Sequence, residues 1–174
     1  MTTEREEAPI ATITETTVAT QAYQVYIKAS PEAIWVAITK SEWTQRYGYG
    51  GRVDYDLVAG GSFRAYATEG MLAMGAPDVI IEGEVVEADL PRKLVQTWNA
   101  LFDPEIVAEA VTRVTWETET AEGGVTKLTL THELDGAPMT AALVGGAVPG
   151  TGGGWAYVLS DLKTLLETGK PLAG

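Results

Sequence analysis

The chain has 174 residues, no cysteine, a single histidine and a formal net charge of −12 at pH 7. That length suits one domain whose core stands without disulfides or metal staples, and the missing thiols exclude disulfide frameworks, thiolate metal sites and cysteine nucleophiles. The acidic balance repels polyanions and anionic lipid, so neither nucleic acid nor a membrane is expected as partner, and a small neutral or apolar ligand fits better.

Residues 1–15 are rich in Thr and Glu without periodicity and read as a flexible N-terminal tail ahead of a single domain over 16–170. The N-terminus shows no basic, apolar leader, and no run of 18 apolar residues follows, so a cytoplasmic protein is expected. From Thr16 the pattern alternates, with Tyr23, Val25 and Ile27 opposite Gln24, Tyr26 and Lys28, which predicts a half-buried strand. Ser30-Pro31-Glu32 then supplies a capping hydroxyl, a proline for the first turn and a carboxylate near the helix dipole, ahead of Ile34, Trp35 and Ile38. Ser41-Glu42 repeats the start signal before Trp43 and Tyr47. Two short helices about one residue apart should form a bent pair with Trp35, Trp43 and Tyr47 turned inward.

Past Gly48, Gly50 and Gly51 the period returns to two in Val53, Tyr55 and Leu57. Gly60-Gly61 reads as a hairpin into 62–68, and further strands are predicted at about 79–88, 92–98, 110–119 and 125–133. Leu90-Pro91 and Glu122-Gly123-Gly124 mark the turns between them, and Asp103-Pro104-Glu105 to Ala108 suits one helical turn. Six strands without a long intervening helix pair most simply as an antiparallel meander. Trp155, Leu159, Leu162 and Leu166 recur at helical spacing, widened by Val158 and Leu165 and stopped at Gly169-Lys170-Pro171. The expected architecture is α+β, a curved sheet wrapped around one amphipathic C-terminal helix.

The run SPEAIWVAIT, the Gly-Gly-x-Phe of GGSFRA, the LPRKLVQTW strand entry, the VTWE and LTLTH strands and above all GGWAYVLSDLKTLLETG resemble the family of homologues of the activator of the 90-kDa heat-shock-protein ATPase. That family lies within the START and birch-pollen-allergen-like superfamily, with polyketide cyclases and lipid-transfer proteins. The resemblance spans roughly residues 20–170 and implies a helix-grip fold: seven antiparallel strands around a long C-terminal helix, with a ligand cavity between them. Superfamily members bind hydrophobic ligands, cyclise polyketides or dock to chaperones, and fold alone does not choose among these.

The glycine run Gly150 to Gly154 invites a phosphate-loop reading, yet Trp155 follows it where a lysine is needed, and neither the dinucleotide spacing nor a βαβ context is present. It reads instead as a hinge or lid before the last helix. His132, on the same strand face as Leu128 and Leu130, is either a hydrogen-bonded core histidine or a weak candidate for acid/base work on a bound ligand. One histidine without cysteine assembles no usual metal shell, and no cofactor is implied. Trp98 and Trp116 share strand faces with Leu94 and Val114, Phe63 follows a hairpin and Trp155 opens the last helix. With Trp35, Trp43, Tyr47, His132 and Leu159, these form the candidate lining of a pocket for a hydrophobic or aromatic small molecule. Arg64, Arg113, Glu82 and Glu84 fall on the solvent faces of their strands. The apolar connections Met71 to Met74 and Ala137 to Val148 could cap such a cavity or form a homodimer contact. The main rival to a binding protein is an enzyme of the polyketide-cyclase or hydrolase kind using the same cavity. A chaperone-interacting module comes third, on the family's name alone.

Overall fold

The computed structural model describes residues 20–173; the expected tail at 1–15 and the expected start of the first strand at Thr16 lie outside them. Strand β1 (Thr20–Ile27) leads into helix α1 (Pro31–Thr39), where the Ser30 hydroxyl accepts the Ala33 N–H at 3.2 Å. Lys40 is extended and separates α1 from α2 (Ser41–Thr44), which gives the bent pair its corner. The meander follows as β2 (Val53–Tyr55), β3 (Ser62–Tyr66), β4 (Val79–Asp89), β5 (Lys93–Ala100), β6 (Thr112–Thr120) and β7 (Thr126–Glu133). Short helices α3 (Glu69–Ala73) and α4 (Pro104–Val107) interrupt it, and α5 (Pro138–Val144) and α6 (Gly154–Thr168) close the chain.

The seven strands form one antiparallel sheet in the order β1-β7-β6-β5-β4-β3-β2. Each meander strand pairs with its sequence neighbour, and only β1 reaches across the chain to β7. This is the α+β arrangement that the alternation and the last amphipathic stripe imply, and the helix-grip fold that the family resemblance implies. Leu94, Val114, Leu128 and Leu130 project from the concave face into a core shared with Ile27, Ile34, Leu162 and Leu165. Each is essentially inaccessible to water, and burying such a side chain stabilises by roughly 1.5–3 kcal/mol. Arg64, Arg113, Glu82 and Glu84 are exposed on the convex side, as alternation requires.

A bulge in β4 keeps its inward face continuous. Val85 lies opposite Gln96 and Glu87 opposite Val95, so Val86 is the extra residue, and Val85 and Ala88 both face inward while Val86 and Glu87 face out. Helix α6 packs along β1 and ends at Gly169, whose φ of 77° lets its N–H bond Leu165 O at 2.8 Å. At the other end, Gly154 has φ of 64°, and a Cβ there would lie 2.1 Å from Val144 O. Only glycine permits this contact between the end of α5 and the start of α6. The last glycine of the run is therefore the close contact between two helices, while Gly150 and Gly152 are exposed.

Helices α3 and α5 differ from the expected apolar connections. Thr68 caps α3 by accepting the Met71 N–H at 3.3 Å. No side chain adjacent to α5 caps it; Glu109, from the loop after α4, accepts the N–H groups of Met139 at 2.6 Å and Thr140 at 3.0 Å and the Thr140 hydroxyl at 2.8 Å. Partial burial works against the charge on Glu109, but these three bonds outweigh it and hold the carboxyl below its usual pKa.

Candidate functional site

Between the concave face of β2 to β6, the α1/α2 corner, α3 and the start of α6 lies a cavity of about 590 Å³. Its floor comes from alternating positions of neighbouring strands: Val53 and Tyr55 on β2, Phe63 and Ala65 on β3, Ile81 on β4, Gln96 and Trp98 on β5 and Trp116 on β6. Tyr55 stacks on Phe63 with ring centres 4.6 Å apart. The rim is built from the loop at 48–51, Met71 and Met74 beside α3, Leu143 and Val144 of α5, and Gly154, Trp155 and Val158 of α6. Both apolar connections thus contribute residues to the cavity lining. Among the described residues that line it there is no Asp, Glu, Lys, Arg or His.

Buried polar contacts hold this shell in place. Asp161, buried on α6, accepts the Gly48 N–H at 2.8 Å through Oδ2 and the Leu172 N–H at 2.7 Å through Oδ1, tying the rim loop and the C-terminal segment to one side chain. The Tyr49 hydroxyl accepts the Gly154 N–H at 3.1 Å, linking the same loop to the first turn of α6. Tyr47 donates to Ala37 O at 2.8 Å. Burial, with a smaller contribution from the Asp161 charge, raises the pKa of Tyr47. Burial likewise raises that of Tyr55, more than its bond to Gln96 lowers it, so neither phenol ionises near neutral pH.

The nine sequence-derived site residues divide into two groups. Tyr47, Phe63, Trp98, Trp116 and Trp155 line the cavity, whereas Trp35, Trp43, Leu159 and His132 do not. Trp35 and Leu159 are buried in the core, and half-buried Trp43 packs under the Arg46 guanidinium at 4.7 Å. His132 has the concave-face orientation expected from Leu128 and Leu130, but it lies behind Trp155 and Trp98. Trp155 Nε1 donates to His132 Nδ1 at 3.0 Å, which leaves the proton on Nε2, 2.7 Å from Thr112 Oγ1, and that hydroxyl donates in turn to Trp98 O at 2.7 Å. Both ring nitrogens are satisfied in the neutral form, and burial lowers the pKa to about 4. The imidazole is therefore a bracket holding Trp155 and Trp98 against the sheet, with ring centres 6.0 and 5.3 Å from its own. Trp116 meets Trp155 edge to face at 5.6 Å, and the buried Nε1 of Trp116 has no hydrogen-bond partner among the described residues.

Several lining residues escaped the sequence reading, Gln96 and Tyr49 among them. Gln96 lies between Leu94 and Trp98 on the same strand face, so the alternation that placed Trp98 also placed it; polarity alone concealed it. Tyr49 belongs to a loop with no period, and no local signal marked it.

The fold recurs among solved structures. An HSP90 activator from Plasmodium falciparum shares 22% identity over 86% of this chain and 96% of its own, with a TM-score of 0.59. The Aha1 dimer from Colwellia psychrerythraea shares 20% over 87% and 98%, with a TM-score of 0.62. DynU16, a protein of the dynemicin biosynthetic locus, shares 23% over 88% of this chain and 49% of that one, with a TM-score of 0.63. At such identities the likeness is one of fold. Among curated proteins no sequence matches the chain. The family model described as activator of Hsp90 ATPase homolog 1-like protein matches residues 28–167, from the end of β1 to the last turn of α6, and the chain belongs to that family.

Proposed function

We propose that this protein binds an uncharged hydrophobic or aromatic small molecule in the cavity between sheet and α6. The observation that carries the reading is the composition of the lining: a space of about 590 Å³, within the usual range for small-molecule sites, faced mainly by aromatic and aliphatic side chains and, among the described residues, by no carboxylate, ammonium, guanidinium or imidazole. A carboxylate or ammonium ligand would lose its hydration there without gaining a counter-ion. The same lining weakens the enzymatic alternative, a cyclase-like or hydrolase-like activity. General acid/base catalysis needs a group titrating near neutral pH within reach of the substrate, whereas burial raises the pKa of the lining Tyr47 and Tyr55 and His132 lies behind Trp155.

Native mass spectrometry of the protein purified from its own source tests the reading. A co-purified neutral molecule released on denaturation supports it. A chain that shows its sequence mass alone, and stays so after incubation with aromatic extracts of the same cells, argues against it. The same spectrum reports subunit number, which bears on the homodimer suggested by the Colwellia structure. A chaperone contact is suggested by the family's description and the Plasmodium protein; a pull-down with Hsp90 and an ATPase assay address it.

A further inference from the structure

From Gln96 we infer that the ligand carries a hydrogen-bond acceptor oxygen, of the aryl-ketone or quinone kind, bound against the Gln96 side-chain amide at the cavity floor. This rests on the ligand-binding reading above and narrows it. Gln96 is 1% exposed and lines the cavity. Its cross-strand neighbours are Val85 on β4 and Val114 on β6, neither of which has a polar side chain to offer. Its one side-chain hydrogen bond is with the Tyr55 hydroxyl at 2.6 Å. That separation suits O–H···O and is short for N–H···O, which assigns Oε1 to Tyr55 and leaves Nε2 for the cavity.

Among the described residues Nε2 donates to no protein acceptor. With Oε1 taken by Tyr55, Nε2 is the polar atom of Gln96 left for the cavity that the side chain lines. A buried amide nitrogen left without an acceptor costs free energy unless something in the cavity accepts its hydrogens. Tyr55 fixes the amide plane, and its own ring is held by the stack on Phe63. The fixed donor therefore selects an acceptor, and the absence of lining cations selects a neutral one. A carbonyl conjugated to an aromatic ring meets both conditions and fills the apolar remainder of the space.

The test compares 2-acetylnaphthalene with 2-ethylnaphthalene, near-equal in shape and differing in the carbonyl oxygen, and with 2-naphthoate. Binding to the wild-type chain and to Gln96→Leu is measured by calorimetry, and the Gln96 side-chain NH2 signals are followed by 15N-edited NMR. The ketone should bind the wild type about three- to ten-fold more tightly than the hydrocarbon, the net value of one such bond, and should shift the Gln96 signals where the hydrocarbon does not. In Gln96→Leu the ratio should fall to about one; should that variant fail to fold, the wild-type NMR comparison decides alone. Equal binding of ketone and hydrocarbon, or equal shifts of the Gln96 signals, overturns this inference and leaves the apolar cavity standing. Naphthoate binding as tightly as the ketone overturns its requirement for a neutral ligand. Failure of all three probes to bind the wild type overturns the ligand-binding reading itself.

Discussion

Burial keeps His132 neutral, and its contribution to stability therefore depends on pH. Its pKa is about 4 in the folded chain, against an ordinary value of 6.5. Between those values the unfolded chain binds the proton and the folded chain does not, so the stabilisation is fully present above pH 6.5 and is lost as pH falls towards 4. From pH 7 to pH 5 the loss amounts to about 2 kcal/mol. Urea denaturation at the two pH values should register it, and a His132→Leu variant should show a shallower pH dependence; an identical slope in the variant would contradict the assignment. The sequence placed His132 on the correct face, because residues 128, 130 and 132 share a side of β7. It could not place Trp155 or Thr112 around it. Those partners arrive from α6 and β6, and only the folded chain distinguishes an imidazole facing a cavity from one sealed behind an indole.

The elements read best from sequence are those whose signals are local. Ser30-Pro31-Glu32 marked the start of α1 because capping needs only a few residues, and the strands showed their period of two. Ser41 does begin α2, but it does not cap it: Lys40 is the N-cap, no side chain caps the helix, and the Ser41 hydroxyl donates to Val53 O. Helix α3 carries a comparable cap at Thr68 but has five residues, too few for a helical period to emerge. In α5 the cap is remote: Glu109 lies about thirty residues before the N–H groups that it binds. Replacing Glu109 with Ala should cost about 1 kcal/mol, the usual value of a helix cap, and should accelerate amide exchange in α5 before other helices. An unchanged melting temperature together with unchanged exchange over 138–144 would show that the cap does not hold the helix. Because α5 supplies Leu143 and Val144 to the cavity rim, loosening it should also speed ligand exchange.

Across the whole molecule, α6 packs along β1 at one edge of the sheet, and the cavity lies toward the opposite edge, where β2 and β3 help to line it. Tyr47, Phe63, Trp98, Trp116 and Trp155 were recognisable as its lining from their phase and position, while Trp35 and Leu159 have the same apolar character and lie in solid core. Periodicity reveals which way a side chain points, and depth in the assembled fold decides whether it meets another side chain or open space. The surface charge of −12 adds a further constraint, since it disfavours anionic ligands before they reach the mouth. The central claim is that this space takes up a neutral aromatic molecule, and filling it is the most direct test. Ala65 faces the cavity from β3, and an indole at that position would occupy the space that a ligand needs. Calorimetric titration with 2-acetylnaphthalene should give saturable 1:1 binding to the wild type and at least about ten-fold weaker binding to a folded Ala65→Trp variant. Equal affinity in the two proteins would place the ligand elsewhere and contradict the account.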